Sequence, residues 1–471
     1  MKLFLLGFCL FGVLLHSQSS NRRHSRLVLT NANVIDIRTG TIAAAMTVLI
    51  EDGRITHIAK LALVPQSRNV TLVNASGKFL LPGLWDMHVH SAFAEAPWDE
   101  KIIYPLYIAN GITGIRDMGG NEDLLKQRRD AIREGHLLGP HMFIAGPFLA
   151  MGKADAQTIP VPNAEDAKRA VDFVKADGFD FVKILSNVPR DSYFAIAEEA
   201  TKQKITFAGH VPYSISAQEA ANAGQRSIEH LSGILLACSS REQEIRKSEL
   251  EALAARNYAA FSKLGGGILA SYEPEKANKL FFAFTQHSTW QVPTLVWTMA
   301  NSHLDNPELL NDPRLKYVPA SIRKAWDPAK LKTSPEETAL ARAEAERDLQ
   351  LVNDMRRHGV QFLAGSDGPD PFVFPGFSLH DELELLVRSG FTPLQALQAA
   401  TFNPALFIQK LDQYGTIEKD HVADLVLLDE NPLLDIRNTR KISAVVLGGH
   451  YYPRTELDKM LHDAEDRAAK E

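Results

Sequence analysis

Between residues 79 and about 409, short apolar runs of strand character alternate with longer amphipathic stretches, and this rhythm restricts the fold more than any other feature of the 471 residues. Eight such runs can be read, at 80–90, 111–117, 142–145, 179–185, 205–210, 227–230, 292–296 and 361–367. Strands that alternate with helices pair in parallel, and eight of them predict an α/β fold in which the sheet closes into a (β/α)8 barrel. The intervening segments 164–176 and 192–202 carry apolar residues at helical spacing. Two connections, 231–290 and 297–360, are much longer, mostly polar and helical in pattern. They follow the sixth and seventh strands, where insertions over a barrel mouth would wall a pocket.

The flanks have another texture. From Leu27 to Asn74 the runs are short and alternating, broken by Asp52-Gly53, a hairpin signal. Similar runs return at 415–417, 423–428 and 442–447. Residues 27–78 and 412–456 are therefore expected to complete one small β-sandwich beside a barrel of residues 79–411.

Lys2 precedes an apolar run at 3–15 and a polar stretch at 16–23, the pattern of an export signal, here taken as residues 1–19. A secreted or periplasmic protein with no stable membrane span after cleavage is expected, a signal anchor being the alternative. Only Cys9 and Cys238 occur, so a processed chain would have no internal disulfide and would rely on its core and any metal. A formal net charge of -6 argues against nucleic acid or an anionic membrane as the main partner. A small-molecule substrate is the expected partner; a homo-oligomer is compatible with the length but not required by it.

The first barrel strand ends Asp86-Met87-His88-Val89-His90, and the period of two points Asp86, His88 and His90 to one side. Two imidazoles on one rigid strand tip suit zinc and its neighbours. Later strand tips each add a group: Lys183 inside the apolar run Phe181–Ile184, then His210, His230 and Asp367. A lone lysine usually snorkels outward, a lone histidine is commonly a core residue, and an Asp before Gly commonly marks a turn. Six metal-compatible groups at the ends of five strands in order form a conjunction that those individual readings do not explain.

These residues resemble the amidohydrolase superfamily from about Leu27 to Arg454. Residues 81–90 look like its first-strand motif, while 111–117 and 423–429 are similar to segments of its prolidase-like and imidazolonepropionase-like branch. The resemblance implies His88, His90 and Asp367 on one metal ion, His210 and His230 on a second, and a carbamate on Lys183 bridging them. One or two Zn2+ ions are thus expected, two if Lys183 is carboxylated. Activated water would attack a carbonyl, with Asp367 passing its proton to the leaving nitrogen. Asp86 or Asp117 would fix the histidine tautomers, and Arg116, Tyr213 and His380 would meet the substrate.

The expected reaction is hydrolysis of an amide-type C–N bond, in an Xaa-Pro-type dipeptide, a cyclic amide or an N-acyl amino acid. A lactone or phosphotriester hydrolase could use the same site. Deamination is disfavoured, because related deaminases commonly place a Glu three residues after the fifth-strand histidine, where this chain has Tyr213. A metal-free binding or scaffold protein is the reading of another class; it would have lost ligands that this sequence keeps.

Overall fold

A computed structural model describes residues 26–60, 70–93, 98–331 and 333–471. The expected signal segment, residues 1–19, lies outside the described residues. Among these no helix is long and apolar enough to cross a membrane.

One eight-stranded sheet gathers strands from both chain ends: Arg26–Ile35, Ile42–Glu51, Arg54–Ala59, Val70–Asn74 and Phe79–Pro82 with Leu425–Leu428, Ile442–Leu447 and His450–Pro453. Asp52 and Gly53 turn the hairpin between Ile42–Glu51 and Arg54–Ala59 with positive φ (50° and 83°), and Glu51 faces Arg54 across it. Period-two alternation sorts the C-terminal strand: Leu425 and Leu427 join Leu27, Leu29, Val48 and Ile50 in the sheet's own core, whereas Val426 and Leu428 face the main core. The sheet thus buries both faces there. Helix Arg454–Ala468 closes the chain and sinks Leu457, Ala464 and Ala468 into the main core.

The run expected at 80–90 is two strands, since Phe79–Pro82 belongs to that mixed sheet and Leu84–Val89 starts the parallel array. Parallel ladders then join Leu84–Val89 to Ile112–Asp117 and His141–Ile144. A second set joins Phe181–Ile184, Thr206–Gly209, Ser227–Glu229 and Trp290–Val292, with Phe148–Ala150 and Thr158–Pro160 added at its edge. Single parallel bridges Ala145↔Phe181, Gln291↔Phe362 and Val89↔Gly368 connect the two sets.

Two expectations fail in detail. The strand read at 292–296 ends at Val292; Pro293 follows, Thr294 takes a positive φ of 48°, and helix Leu295–Asn301 begins at once. A short apolar run does not distinguish strand from buried helix. The segment 361–367 forms no regular ladder, although Leu363 N–H donates to Gln291 O and Met87 N–H to Ala364 O, both at 2.9 Å.

His141 at the start of the third array strand ties the array to the mixed sheet, its Nε2 2.9 Å from Asp424 Oδ2. Burial alone would lower its pKa, but the Asp424 charge and hydrogen bond outweigh that and raise it above the usual 6.5. A raised histidine pKa gives stability that is complete below about 6.5 and is lost as pH rises through the folded value. The urea midpoint of wild type minus that of His141→Gln should therefore shrink with rising pH above about 6.5; a difference that is flat or grows would refute this tie.

Candidate metal and active site

Strand tips bring five of the six sequence-expected ligands to one cavity of about 470 Å³, lined by His90, Lys183, His210, His230 and Asp367. His88, the sixth, is fully buried beside it. Asp367 sits at the centre: its Oδ1 lies 3.3 Å from His88 Nε2 and 3.4 Å from His90 Nε2, and its Oδ2 lies 3.5 Å from His230 Nδ1. The tightest set is His88, His230 and Asp367, whose ligating atoms lie within 4.8 Å of one another. His230 therefore groups with His88 as well as with His210, whose ring centroid is 5.1 Å away.

Backbone strain gathers at this centre. His230, Leu231, Thr294 and Asp367 all have φ between 48° and 63°, a region costly for residues with a Cβ. Gly365 has the opposite property: a Cβ there would come within 2.8 Å of the His88 Cβ and 2.7 Å of Val292 Cγ1. The absence of a side chain lets the last array segment lie against His88.

Each imidazole has a hydrogen-bond partner at Nδ1, which in His230 is also the nitrogen that faces Asp367. The partners are Glu229 Oε2 for His88 (2.8 Å), the Gly119 carbonyl for His90 (2.8 Å), Ser186 Oγ for His210 (2.7 Å) and Thr294 Oγ1 for His230 (2.8 Å). A carboxylate and a carbonyl can only accept, so His88 and His90 carry their proton on Nδ1 and present a lone pair at Nε2. Burial first, and Lys183 next, push His88 well below the usual histidine range and His210 down to about 3. Burial and His88 lower His230 as well. Neutral imidazoles are what metal ligation requires.

Asp86 and Asp117, expected to orient these rings, do other work. Asp86 accepts from Ser366 N (2.9 Å) and Oγ (2.6 Å) and so fixes the turn into Asp367, while Asp117 accepts from Ser91 N and Oγ. Burial raises Asp86 to about 7 despite the Ser366 bonds. Arg116 is not brought to the cavity. It lies fully buried, with Nη2 2.8 Å from Glu229 Oε2, Nη1 2.9 Å from Ser227 Oγ and Nε 2.6 Å from the Met87 carbonyl. His380 is also sealed in, bonded to Thr439 Oγ1 and the Asn110 carbonyl, away from the lining residues. Tyr213 stands behind the cavity wall, half-buried, packed edge-on against Phe261 at 5.4 Å and bonded to Ser186. Of the two long connections, Ser232 and Trp297 reach the cavity.

Sequence reasoning missed Glu229, Ser186, Thr294, Trp297 and Asp370. For Glu229 a signal existed, since an acid within the short strand segment Ser227–His230 must find a partner if buried.

Residues 79–451 match the model of the amidohydrolase family. The chain belongs to that family. As an amidohydrolase it is a hydrolase acting on C–N bonds. Ochratoxinase of Aspergillus niger is 23% identical over 393 residues, covering 78% of this chain and 73% of that enzyme. A solved Xaa-Pro dipeptidase with bound methionine in its active site is similar at a TM-score of 0.66 and 20% identity, over 91% of this chain and 100% of its own. Bottromycin amidohydrolase is similar at a TM-score of 0.71 and 22% identity, over 94% and 90%. Amidohydrolases depend on metal, and the donor set here suits one. His88 Nε2 is buried without a hydrogen-bond partner and aims its lone pair at Asp367 Oδ1, so two acceptors face each other across a gap that a cation would fill.

Replacing Glu229 by Gln removes the anion from both His88 and Arg116. Metal affinity should fall by about 10- to 100-fold, and the stranded Arg116 charge should cost about 3–5 kcal/mol in urea unfolding. Wild-type metal affinity in this variant would show that Glu229 does not set the His88 tautomer.

Proposed function

We propose that this amidohydrolase is a zinc-dependent enzyme that cleaves the amide bond of an amino-acid derivative, a dipeptide of the Xaa-Pro type or an N-acyl amino acid, inside a closed (β/α)8 barrel. The observation that carries the reading is the Asp367 carboxylate within 3.5 Å of nitrogens from three histidines, of which His88 and His90 are oriented from behind through Nδ1 and His230 is held by Thr294. Closure of the barrel is supported by the bridges that link the two parallel sets at both seams. The amino-acid amide is supported by the name of one similar protein, an Xaa-Pro dipeptidase, with a bottromycin amidohydrolase beside it.

His88, His90, His210, His230 and Asp367 would hold the metal. Lys183 would join them as a carbamate, formed when its amine nitrogen adds CO2 and releases a proton. Burial lowers Lys183 to about 8, although Glu229 and Asp367 pull the other way. A larger share of neutral amine is therefore available near neutral pH than an exposed lysine offers. Bound zinc supplies a water that ionises near neutral pH and an electrophile for the scissile carbonyl.

The chain's own residues do the rest. Asp367 takes the proton of the attacking water on a carboxylate oxygen and delivers it to the leaving nitrogen, so the amine departs neutral. Phe93, Phe148, Leu185 and Trp297 wall the cavity with apolar surface that excludes bulk water and suits an apolar acyl group. The expected export signal belongs to the same reading, a scavenging hydrolase acting outside the cytoplasm.

A screen of zinc-loaded protein against dipeptides, N-acyl amino acids, cyclic amides, lactones and phosphotriesters tests this directly. Amides should turn over, chelation should abolish the activity, and Asp367→Asn should lower kcat by about 10²- to 10⁴-fold. Turnover of lactones or phosphotriesters alone would overturn the substrate class. Equal kcat in wild type and Asp367→Asn would remove Asp367 as proton carrier.

A further inference from the structure

Asp370 is the second carboxylate lining the cavity, three residues beyond Asp367. Its Oδ2 accepts the Trp297 indole N–H at 2.5 Å, and the Asn301 side-chain amide donates to it as well. Both donors are neutral and fix the direction of the carboxylate without cancelling its charge. Among the described residues, no Lys, Arg or His forms an ion pair with it. Lys183 in the lining is drawn to Glu229 and Asp367, and His90, a minor electrostatic influence on Asp370, lies 3.4 Å from Asp367 Oδ1 through its Nε2. Arg116, which could have met a substrate carboxylate, is sealed behind the strands on Glu229.

A carboxylate whose hydrogen bonds come from neutral donors, in an aromatic-walled cavity, has no ion-pair partner among the described side chains, and a ligand that brings a cationic N–H to it gains a charge-assisted hydrogen bond. We propose that Asp370 is a specificity-determining residue that receives a cationic nitrogen of the substrate, an ammonium or guanidinium group carried by the amide the site cleaves. The proposal rests on the amide-hydrolase reading and narrows it. Free-amino dipeptides, or acylated ones with a basic side chain, are better substrates than neutral N-acyl amino acids.

Asp370→Asn isolates the charge, because the amide oxygen can still accept the Trp297 N–H. The measurement is kcat/KM of the zinc-loaded full chain for two matched pairs: Leu-Pro against N-acetyl-Leu-Pro, and N-acetyl-Lys-Pro against N-acetyl-norleucyl-Pro. Wild type should prefer the cationic member of at least one pair by about 10- to 100-fold. The pair that responds tells whether the α-ammonium or the side chain is read. In Asp370→Asn the ratio should fall to within a few-fold of one, and Asp370→Glu should restore part of it. Wild-type ratios near one, with turnover present, overturn the proposal and leave the hydrolase reading standing. An equal loss on all four substrates in Asp370→Asn also overturns it, assigning Asp370 to propping Trp297. Absence of chelator-sensitive turnover of all four overturns the Xaa-Pro amide reading and this proposal together.

Discussion

The Glu229 carboxylate, with no exposed surface, is shared by Arg116, Ser227 and His88, and those contacts join three strands of the parallel array. An ionised acid in that position is tolerable because a guanidinium and two further donors surround it. The same contact does two jobs. It neutralises the arginine that fills the inside of the array, and it leaves His88 with its lone pair turned to the cavity. Structure and chemistry therefore draw on one buried ion pair. Loss of either charge would be felt in stability as well as in the site.

Around that pair the site is assembled by backbone departures from regular geometry. Positive φ at His230, Thr294 and Asp367 and the missing side chain at Gly365 let strand tips approach closely enough for four rings and a carboxylate to converge. Such conformations persist where surrounding packing overdetermines them. Here the buried array and the hydrogen bond at each imidazole Nδ1 provide that constraint. Asp86 contributes from the first strand by holding Ser366, the residue before Asp367, so the central carboxylate is anchored by the strand that also bears His88 and His90.

Charge within the cavity follows from burial. Desolvation keeps His210 and His230 neutral, pulls Lys183 towards a neutral amine and raises Asp370 to about 6, and the carboxylates of Asp367 and Asp370 both stand in the lining. The helix after the seventh array strand, Leu295–Asn301, feeds Trp297 and Asn301 to Asp370, and its preceding residue Thr294 orients His230. One short segment thus shapes both the metal-facing side and the acidic wall. This coupling explains why a segment read as strand from its apolar letters matters most as a turn and helix.

The sequence alone determined what local periodicity can encode. Alternation on 84–90 put His88 and His90 on one face, Asp52-Gly53 closed a hairpin, and the strand-helix rhythm placed Lys183, His210, His230 and Asp367 at successive tips. The family motifs followed from the same letters. Tertiary structure alone decided which charges are spent internally and which are left for a ligand. Arg116 looked available because it sits at a strand end, yet its partner lies 113 residues away, and the Glu229 bond to His88 spans 141. His380 was likewise taken inward by Thr439 and Asn110. Pairings of that kind depend on which strand tips meet across the array, a distance set by packing and not by spacing along the chain.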